Sequence, residues 1–491
     1  MIFFIISLLC TVFGFKKNSD SIRSSELNFF YFSGFLFLSI HFFFLQKNHF
    51  ETFFLGDFDY VSLSETLQSS LKGYFFRNHY LGNIDKANFL AHHFSPAMLV
   101  LAPFLYLSEF RLGFGYGLLF FHLFSFVLFR KILDFFPLNP GEKALWLFFF
   151  LLNLYVYRLF TSYHYESLFL FSALGLILSH LKNNNFLFSF FFLFSLLLKE
   201  DISLYLALFS LYLLFEKKKY TALLVLSISF FYFFFVPAFF QKRLDPSASV
   251  NWLSSWSKWG KTYPEILLHF ISQPGIILNS FLNHKKTILE LSLGAGFLFW
   301  FYIPSLPLFI GIMLIHFLSD RYWYNTFYNY YIYSLLPFYL FFSLKGYLSL
   351  RKKTGQTILL LAISLCLYRN STDSLFPHKL SEPDRTRLDT VRNAFQEIPK
   401  YSCLSVQFDL SGFAPRSLSI YPIRERNLKE FILLDFSKKS FSPYLSIKKL
   451  KELKNRLVSS GKYRVMWQKN NTYILESFRK GSISCDTYNN H

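Results

Sequence analysis

Residues 220–240 read YTALLVLSISFFYFFFVPAFF and contain no charged side chain. The length of this run is close to the roughly 20 apolar residues that a helix needs to cross the hydrocarbon core of a bilayer. Similar blocks cover residues 28–46 and 112–129. The pattern indicates an integral membrane protein and favours helices over strands as the spanning elements.

Counting outward from this run gives about twelve apolar segments. Several of them are shorter than a full span, so tilted helices and half-helices also fit. We expect an all-α polytopic membrane protein with about twelve transmembrane helices. The segments are 1–15, 28–46, 112–129, 144–157, 166–181, 186–198, 202–215, 220–240, 287–302, 305–319, 326–344 and 356–368.

The composition and the charge agree with this class of protein. Hydrophobic residues make up 53% of the chain and charged residues only 16%, whereas soluble domains carry about 25% charged residues. The net charge of +20 would suggest nucleic acid in a soluble protein. Here the cations flank apolar blocks, so we expect a membrane lipid as partner and no nucleic acid.

The positions of lysine and arginine predict the orientation in the membrane. Short loops on the cytoplasmic side carry an excess of these cations. That rule puts the long segments 47–111 and 241–286 on the outer face. The inner loops then contain Lys16, Lys17, Arg23, Arg130, Lys131, Lys143, Lys182, Lys217, Lys218, Lys219, Lys345, Arg351, Lys352 and Lys353.

The character of the chain changes near residue 369, where short apolar runs begin to alternate with polar ones. We therefore expect a transmembrane domain over 1–368 and a small extracytoplasmic α+β domain over 369–491. Cys403 and Cys485 would be able to pair there, which the sequence leaves open. Predicted strands cover 401–408, 431–436, 463–467 and 472–475, and predicted helices cover 385–398 and 445–457.

Two aspartates open the first outer segment and are the candidate catalytic acids. Asp57 and Asp59 follow the second apolar block closely. A carboxylate there would be able to act as a general base or to hold a divalent cation. Solvated acids near a helix N-terminus would give the same pattern, because negative charge is favoured there.

Other ionisable residues lie at the outer ends of apolar segments, where charge is costly and points to function. Adjacent histidines in His92-His93-Phe94-Ser95-Pro96 diverge too far on a helix to share a metal ion, and Ser95 with Pro96 would also fit a helix start. We expect no metal-ligating set. The candidate binding residues are His93, His164, Glu166, Lys199, Glu200 and Arg321.

Taken in order, several short elements resemble a bacterial and archaeal family of predicted membrane proteins, domain of unknown function 2079. The resemblance covers about residues 50–480. Tyr165 and Asn329 depart from the pattern, where proline and histidine would be expected. The elements are Asp59 with Gly73, His93-Phe94-Ser95-Pro96, His164-Tyr165-Glu166, Lys199-Glu200-Asp201, Tyr263-Pro264-Glu265, Gln273-Pro274, Leu306-Pro307, Asn329-Tyr330-Tyr331, Pro337, Ser405-Val406-Gln407 and Pro415-Arg416.

That family in turn looks like the C-type (GT-C) glycosyltransferases, which take sugars from polyprenyl-phosphate donors. The resemblance implies an enzyme of the bacterial inner (cytoplasmic) membrane that transfers a sugar to an extracytoplasmic acceptor. Asp59 or Asp57 would be the base or the metal-associated acid, and a divalent cation is left open. Lys199 or Arg321 would meet the donor phosphate, and His93, His164, Glu166 and Glu200 would line the cavity.

Two other interpretations fit the same residues. A non-enzymatic carrier or transporter of a lipid or polyanion would use the charges as a path. A membrane scaffold would use the outer domain to bind a partner.

Overall fold

The computed structural model describes residues 23–53, 58–78, 88–108, 111–245, 253–327, 329–372, 381–424, 428–437 and 446–478. The fold is mostly helical, at 71%, with a small sheet near the C-terminus. The first predicted apolar segment, 1–15, lies outside the described residues.

The described part of the chain divides into two compact units. The helical unit comprises described residues within Met1–Phe42, His92–Ala97 and Leu118–Leu375. The sheet unit comprises described residues within Phe43–Ala91, Met98–Gly117 and Phe376–His491. Parts of segment 47–111 therefore fold in the same unit as the C-terminal sheet. The division into 1–368 and 369–491 stays a prediction.

The α-helices of the described residues are numbered in chain order. They are α1 (Ser24–Glu51), α2 (Phe58–Leu71), α3 (Gly113–Leu133), α4 (Pro140–Leu152), α5 (Leu154–Thr161), α6 (Leu168–Leu181), α7 (Asn185–Leu196), α8 (Ile202–Phe215), α9 (Lys219–Leu244), α10 (Tyr263–Ser272), α11 (Gly275–Asn283), α12 (Lys285–Gly294), α13 (Leu306–Phe317), α14 (Tyr322–Asn325), α15 (Leu336–Leu348), α16 (Lys352–Thr372), α17 (Glu382–Glu397), α18 (Phe408–Ser411) and α19 (Ile447–Ser459).

Short 3₁₀ helices connect several of these elements. They cover Phe89–Ala91, Pro96–Leu107, Tyr165–Ser167, Leu253–Trp256, Leu298–Phe301, Ile303–Ser305 and Asn329–Ser334. The proline-bearing stretch after His93 is thus helical, as the sequence predicts, and it begins at Pro96.

The predicted count of about twelve spans needs correction. In the described residues, three helices are long and apolar enough to cross a membrane, namely α1, α3 and α9, or up to four if the bent pair α4 and α5 is one span. Many of the predicted segments are real helices but short ones. A helix of 14 residues, such as α6 or α8, is only about 21 Å long against a hydrocarbon core of about 30 Å.

Asn153 and Gly296 mark the ends of two helices in the helical unit, α4 and α12. Asn153 ends α4 and caps α5, where its side chain accepts hydrogen bonds from the backbone N–H of Tyr155 and Val156 at 3.0 and 3.4 Å. The two helices meet at an angle of 45°. Gly296 follows α12 with a φ of 57°. A Cβ there would lie 2.9 Å from the carbonyl oxygen of Ile358, so the turn needs glycine.

The described part of the sheet unit contains a five-stranded sheet in the order β2-β1-β3-β5-β4. β1 pairs in parallel with β2 and β3, and β5 is antiparallel to β3 and β4. Asn470 turns the terminal hairpin with a φ of 52°, a conformation that asparagine tolerates. The strands are β1 (Cys403–Val406), β2 (Ser419–Pro422), β3 (Phe431–Asp435), β4 (Tyr463–Lys469) and β5 (Thr472–Ser477).

The structure confirms the predicted strands β1, β3, β4 and β5 and the helices α17 and α19. Strand β2 was not predicted from the sequence; it has four residues and ends at Pro422. Proline cannot donate to a ladder and usually argues against a strand. β2 lies at the sheet edge, where that loss is tolerated.

The apolar face of α19 covers one side of the sheet. Leu450, Leu453 and Leu457 are buried in a cluster with Ile432 and Leu475 from β3 and β5. Their spacing of three and four residues puts the leucines on one helix face. This stripe holds α19 on the sheet.

We expect Leu453→Ala to destabilise the sheet unit by about 2–5 kcal/mol, because it removes buried methyl groups and leaves a cavity. Hydrogen exchange of the β3 amides in the purified full-length protein would measure the loss. Lys448→Ala, at an exposed position of the same helix, is the matched control and should change little. Equal exchange in Leu453→Ala and in the wild type would contradict this packing of α19 on the sheet.

Candidate functional site

Three consecutive ionisable residues occupy the turn between α7 and α8 in the helical unit. Lys199, Glu200 and Asp201 are 5%, 4% and 1% exposed. Such residues are rarely buried unless they are paired. Each of them has polar partners from other parts of the same unit.

Lys199 pairs with Glu166 from the 3₁₀ turn before α6. The Lys199 Nζ lies 2.9 Å from Glu166 Oε1, and the ammonium also faces the rings of Tyr330 and Tyr333 at 5.7 and 5.5 Å. Burial lowers the pKa of Lys199, but the carboxylates of Glu166 and Asp201 outweigh burial and raise it well above its ordinary value. The lysine is therefore held as a cation.

His164 approaches the same carboxylate from the other side. Its Nδ1 lies 3.6 Å from Glu166 Oε2, which is longer than a hydrogen bond. The imidazole stacks on Tyr330 with the ring centroids 3.6 Å apart. His164 is thus oriented by an aromatic face and by a neighbouring negative charge.

Glu200 points to the segment before the 3₁₀ helix at Pro96. Its Oε1 lies 3.0 Å from His93 Nδ1, and its Oε2 accepts a hydrogen bond from the backbone N–H of Phe94 at 3.2 Å. Burial raises the pKa of Glu200, but His93 and Lys199 outweigh burial and hold it below its ordinary value. The His93 side chain is 33% exposed, so this part of the cluster reaches the surface of the unit.

Asp201 is held by tyrosines. Tyr333 and Tyr205 donate to its Oδ2 at 2.6 and 3.2 Å. Its Oδ1 has no hydrogen-bond partner among the described residues. Burial raises the pKa of Asp201, and the positive charge of Lys199 opposes this. The hydroxyl oxygen of Tyr205 also lies 2.9 Å from the hydroxyl oxygen of Tyr324, within hydrogen-bond distance.

A further hydrogen bond ties the two ends of the cluster together. The hydroxyls of Ser95 and Tyr165 lie 2.7 Å apart, and both are buried. Ser95 follows His93 closely in the chain, and Tyr165 precedes Glu166. The Glu166–Lys199 pair and the His93–Glu200 pair therefore form one assembly, which we call the buried charge cluster.

The structure brings five of the predicted site residues into the buried charge cluster. Arg321 belongs to the same helical unit, and Asp59 belongs to the sheet unit. Arg321 is exposed at the start of the short helix α14. Asp59 is exposed in the first turn of α2, in the sheet unit. Asp57 lies outside the described residues. The five clustered residues are His93, His164, Glu166, Lys199 and Glu200.

The tyrosines of the cluster were not predicted from the sequence. Tyr165, Tyr205 and Tyr333 are buried and donate or share the hydrogen bonds that hold Ser95 and Asp201. In a chain with 31 tyrosines, no single one stands out. The dense run Tyr330-Tyr331 and Tyr333 after Asn329 was the available signal, because buried tyrosine hydroxyls need polar partners.

Among the described residues, no group of three or more histidine, cysteine, aspartate or glutamate side chains is placed to hold a metal ion. Within the cluster, the carboxylates of Glu166 and Glu200 are each engaged by a cationic or imidazole partner.

The helices and the buried charge cluster define an integral membrane protein with an ionisable centre. Residues 49–474 match the family described as "Predicted membrane protein (DUF2079)", and the chain belongs to that family. The comparisons with curated proteins and with solved structures gave no significant match.

We expect Lys199→Met to lower the free energy of unfolding by about 3–5 kcal/mol, because Glu166 would be left as a buried charge without its partner. The double variant Lys199→Met with Glu166→Gln should recover part of this loss. Thermal unfolding of the purified protein would measure both. The control is Lys258→Met, which breaks the half-exposed pair with Asp320 and should cost about 0–1 kcal/mol. A Lys199→Met variant as stable as the wild type would contradict the pairing.

The low pKa of Glu200 predicts a pH dependence. A carboxyl group whose folded-state pKa lies below its unfolded value stabilises the fold at neutral pH, and this stability is lost as the pH falls through the folded pKa. As the pH is lowered through and below the ordinary glutamate pKa of 4.5, the unfolding midpoint of Glu200→Gln should therefore fall less steeply than that of the wild type. Identical slopes in the two proteins would show that His93 and Lys199 do not hold the carboxylate in its charged form.

Proposed function

We propose that this protein is a GT-C-like glycosyltransferase that moves a sugar from a polyprenyl-phosphate donor to an acceptor outside the cytoplasm. The observation that carries the proposal is the buried charge cluster, in which the carboxylates of Glu166, Glu200 and Asp201 are buried beside Lys199 and can accept hydrogen bonds from sugar hydroxyls. It lies in the unit that contains apolar helices suited to a membrane.

A cluster of this kind is poorly explained by stability alone. Burying an ion pair costs desolvation that its mutual attraction often fails to offset, and apolar replacements are frequently as stable. Three buried carboxylates, Glu166, Glu200 and Asp201, occur beside one buried lysine. In proteins of the membrane, ionisable groups of this kind mark substrate or ion sites.

The transfer needs a base and a cation. The base takes the proton from the acceptor hydroxyl, and the oxygen of that hydroxyl forms a bond to the anomeric carbon of the donor sugar. At the same time, the bond between the anomeric carbon and the phosphate oxygen breaks, and the polyprenyl phosphate leaves. The proposal assigns the base to Asp59 or Asp57, from the family resemblance. The proposal assigns the phosphate to Lys199 or Arg321, also from the family resemblance. Arg321 is exposed, and a guanidinium group can bind phosphate oxygens in pairs. Lys199 is paired with Glu166.

The proposal also assigns the protein to the bacterial inner membrane, with the C-terminal domain outside the cytoplasm. Cys403, at the start of β1, is disulfide-bonded. Disulfides persist mainly in oxidising compartments and are rare in the cytosol. Cys485, whose pairing with Cys403 the sequence leaves open, lies outside the described residues.

The decisive experiment compares lipid-linked sugars and surface glycans by mass spectrometry in cells with and without the gene. Deletion should accumulate a polyprenyl-phosphate sugar and remove a glycan product. Asp59→Asn or Asp57→Asn should reduce the product about 100-fold or more, as expected when a general base is lost. Asp389→Asn, which alters an exposed carboxylate on α17, is the matched control.

Two results would contradict the proposal. An unchanged glycan profile in the deletion strain would exclude the enzyme. A wild-type product level in both aspartate variants, at equal protein abundance, would exclude catalysis by these acids. A changed distribution of a lipid across the membrane without any changed glycan would instead establish a carrier.

A further inference from the structure

A cavity of about 440 Å³ lies within the sheet unit. Its volume falls in the range of roughly 300–1,000 Å³ that is usual for small-molecule sites. Residues from the first turns of α17 form one wall, and residues after β3 and at the β4–β5 turn complete it. The lining residues are Glu382, Pro383, Thr386, Arg387, Thr390, Ser437 and Asn470.

The cavity lies at a place in the sheet that favours ligand binding. β1 is flanked by β2 on one side and β3 on the other, and all three are parallel. The chain thus places β2 and β3 on opposite sides of β1, so the strand order reverses between β1 and β3. Ligands of open α/β sheets bind at this switch point. Asp435 ends β3, and Ser437 in the cavity wall follows two residues later.

Arg387 forms the charged floor of the cavity and is itself neutralised. Its Nε donates to Asp435 and its Nη2 donates to Asp409, both at 2.6 Å. Its guanidinium also lies 4.0 Å from the ring centroid of Phe53. Two carboxylates for one guanidinium leave no excess positive charge there, so the floor does not favour an anion.

The remaining wall offers both donors and acceptors. Asn470 Nδ2 donates to Thr390 Oγ1 at 3.1 Å, and that hydroxyl donates to the carbonyl of Thr386 at 2.7 Å. Ser437 Oγ donates to Asp435. These bonds fix the lining groups in position, while Glu382 and Thr386 are exposed at the mouth.

We propose that this cavity binds a neutral, hydroxyl-rich sugar. The surface exposed in the cavity is mostly apolar carbon, with hydroxyl, amide and carboxylate groups among it. A sugar presents the same mixture, because its ring carbons form apolar faces and its hydroxyls both donate and accept hydrogen bonds. The ring of Pro383 offers an apolar surface for the carbon face of the sugar. This binding site does not depend on catalysis by Asp59 or Asp57.

The test uses the full-length protein in lipid nanodiscs prepared without glycolipid or sugar-based detergent. Saturation-transfer NMR is recorded with glucose, galactose, mannose and N-acetylglucosamine, and with inorganic phosphate as the anionic comparison in a competition format. At least one neutral sugar should bind saturably, and phosphate should not displace it. Thr386→Trp, which fills the cavity from an exposed position, should reduce the signal at least about 10-fold, and Asn470→Ala should weaken it.

Gln396→Trp adds the same side chain at an exposed position of α17 that does not line the cavity, and it should bind like the wild type. Asp59→Asn should also bind normally, so failure of this site and failure of the enzyme proposal are distinguishable. Hydrogen exchange of β3 verifies that each variant is folded. The absence of saturable sugar binding in the wild type, or full binding by folded Thr386→Trp and Asn470→Ala, would overturn the proposal.

Discussion

The helical unit is organised around the ion pair between Lys199 and Glu166. Burying an unpaired charge carries a large desolvation free energy, so the buried ammonium of Lys199 needs a carboxylate beside it. The pair fixes the turn between α7 and α8 against the beginning of α6. Glu200, next in the chain, then reaches His93, and the Ser95–Tyr165 hydrogen bond follows from the same alignment. One electrostatic requirement thus determines how these separate segments meet.

The sheet unit uses the same physical principle with different residues. Arg111 is 1% exposed, and it bonds Glu65 of α2 at 2.7 Å and the carbonyl oxygen of Ala414 at 2.6 Å. The second contact joins residues 303 positions apart. The rings of Phe50 and Phe413 also pack together, with centroids 4.4 Å apart. These contacts explain why early parts of the chain fold in one unit with the C-terminal sheet, which no local sequence pattern indicates.

The sequence predicted structural features that depend on neighbouring residues in the chain. It did not predict contacts between residues that are far apart in the chain. The alternation of short apolar and polar runs predicted the helix at 445–457 and the strands at 463–467 and 472–475, because such elements depend on near neighbours in the chain. The twelve apolar segments were mostly helical, but hydropathy does not show where Asn153 or Gly296 ends a helix. Lys199 and Glu166 were recognised as charges in apolar surroundings. Their pairing, and the tyrosines around them, depend on tertiary structure.

The charge of the cluster limits what it can bind. Glu166, Glu200 and Asp201 supply three acidic groups against the single ammonium of Lys199, and His93 adds a positive charge only when protonated. No positive charge is then left over for a donor phosphate. A phosphate-bearing ligand therefore needs a cation outside the cluster or a proton taken up with it, whereas the hydroxyls of a sugar can use the carboxylates directly.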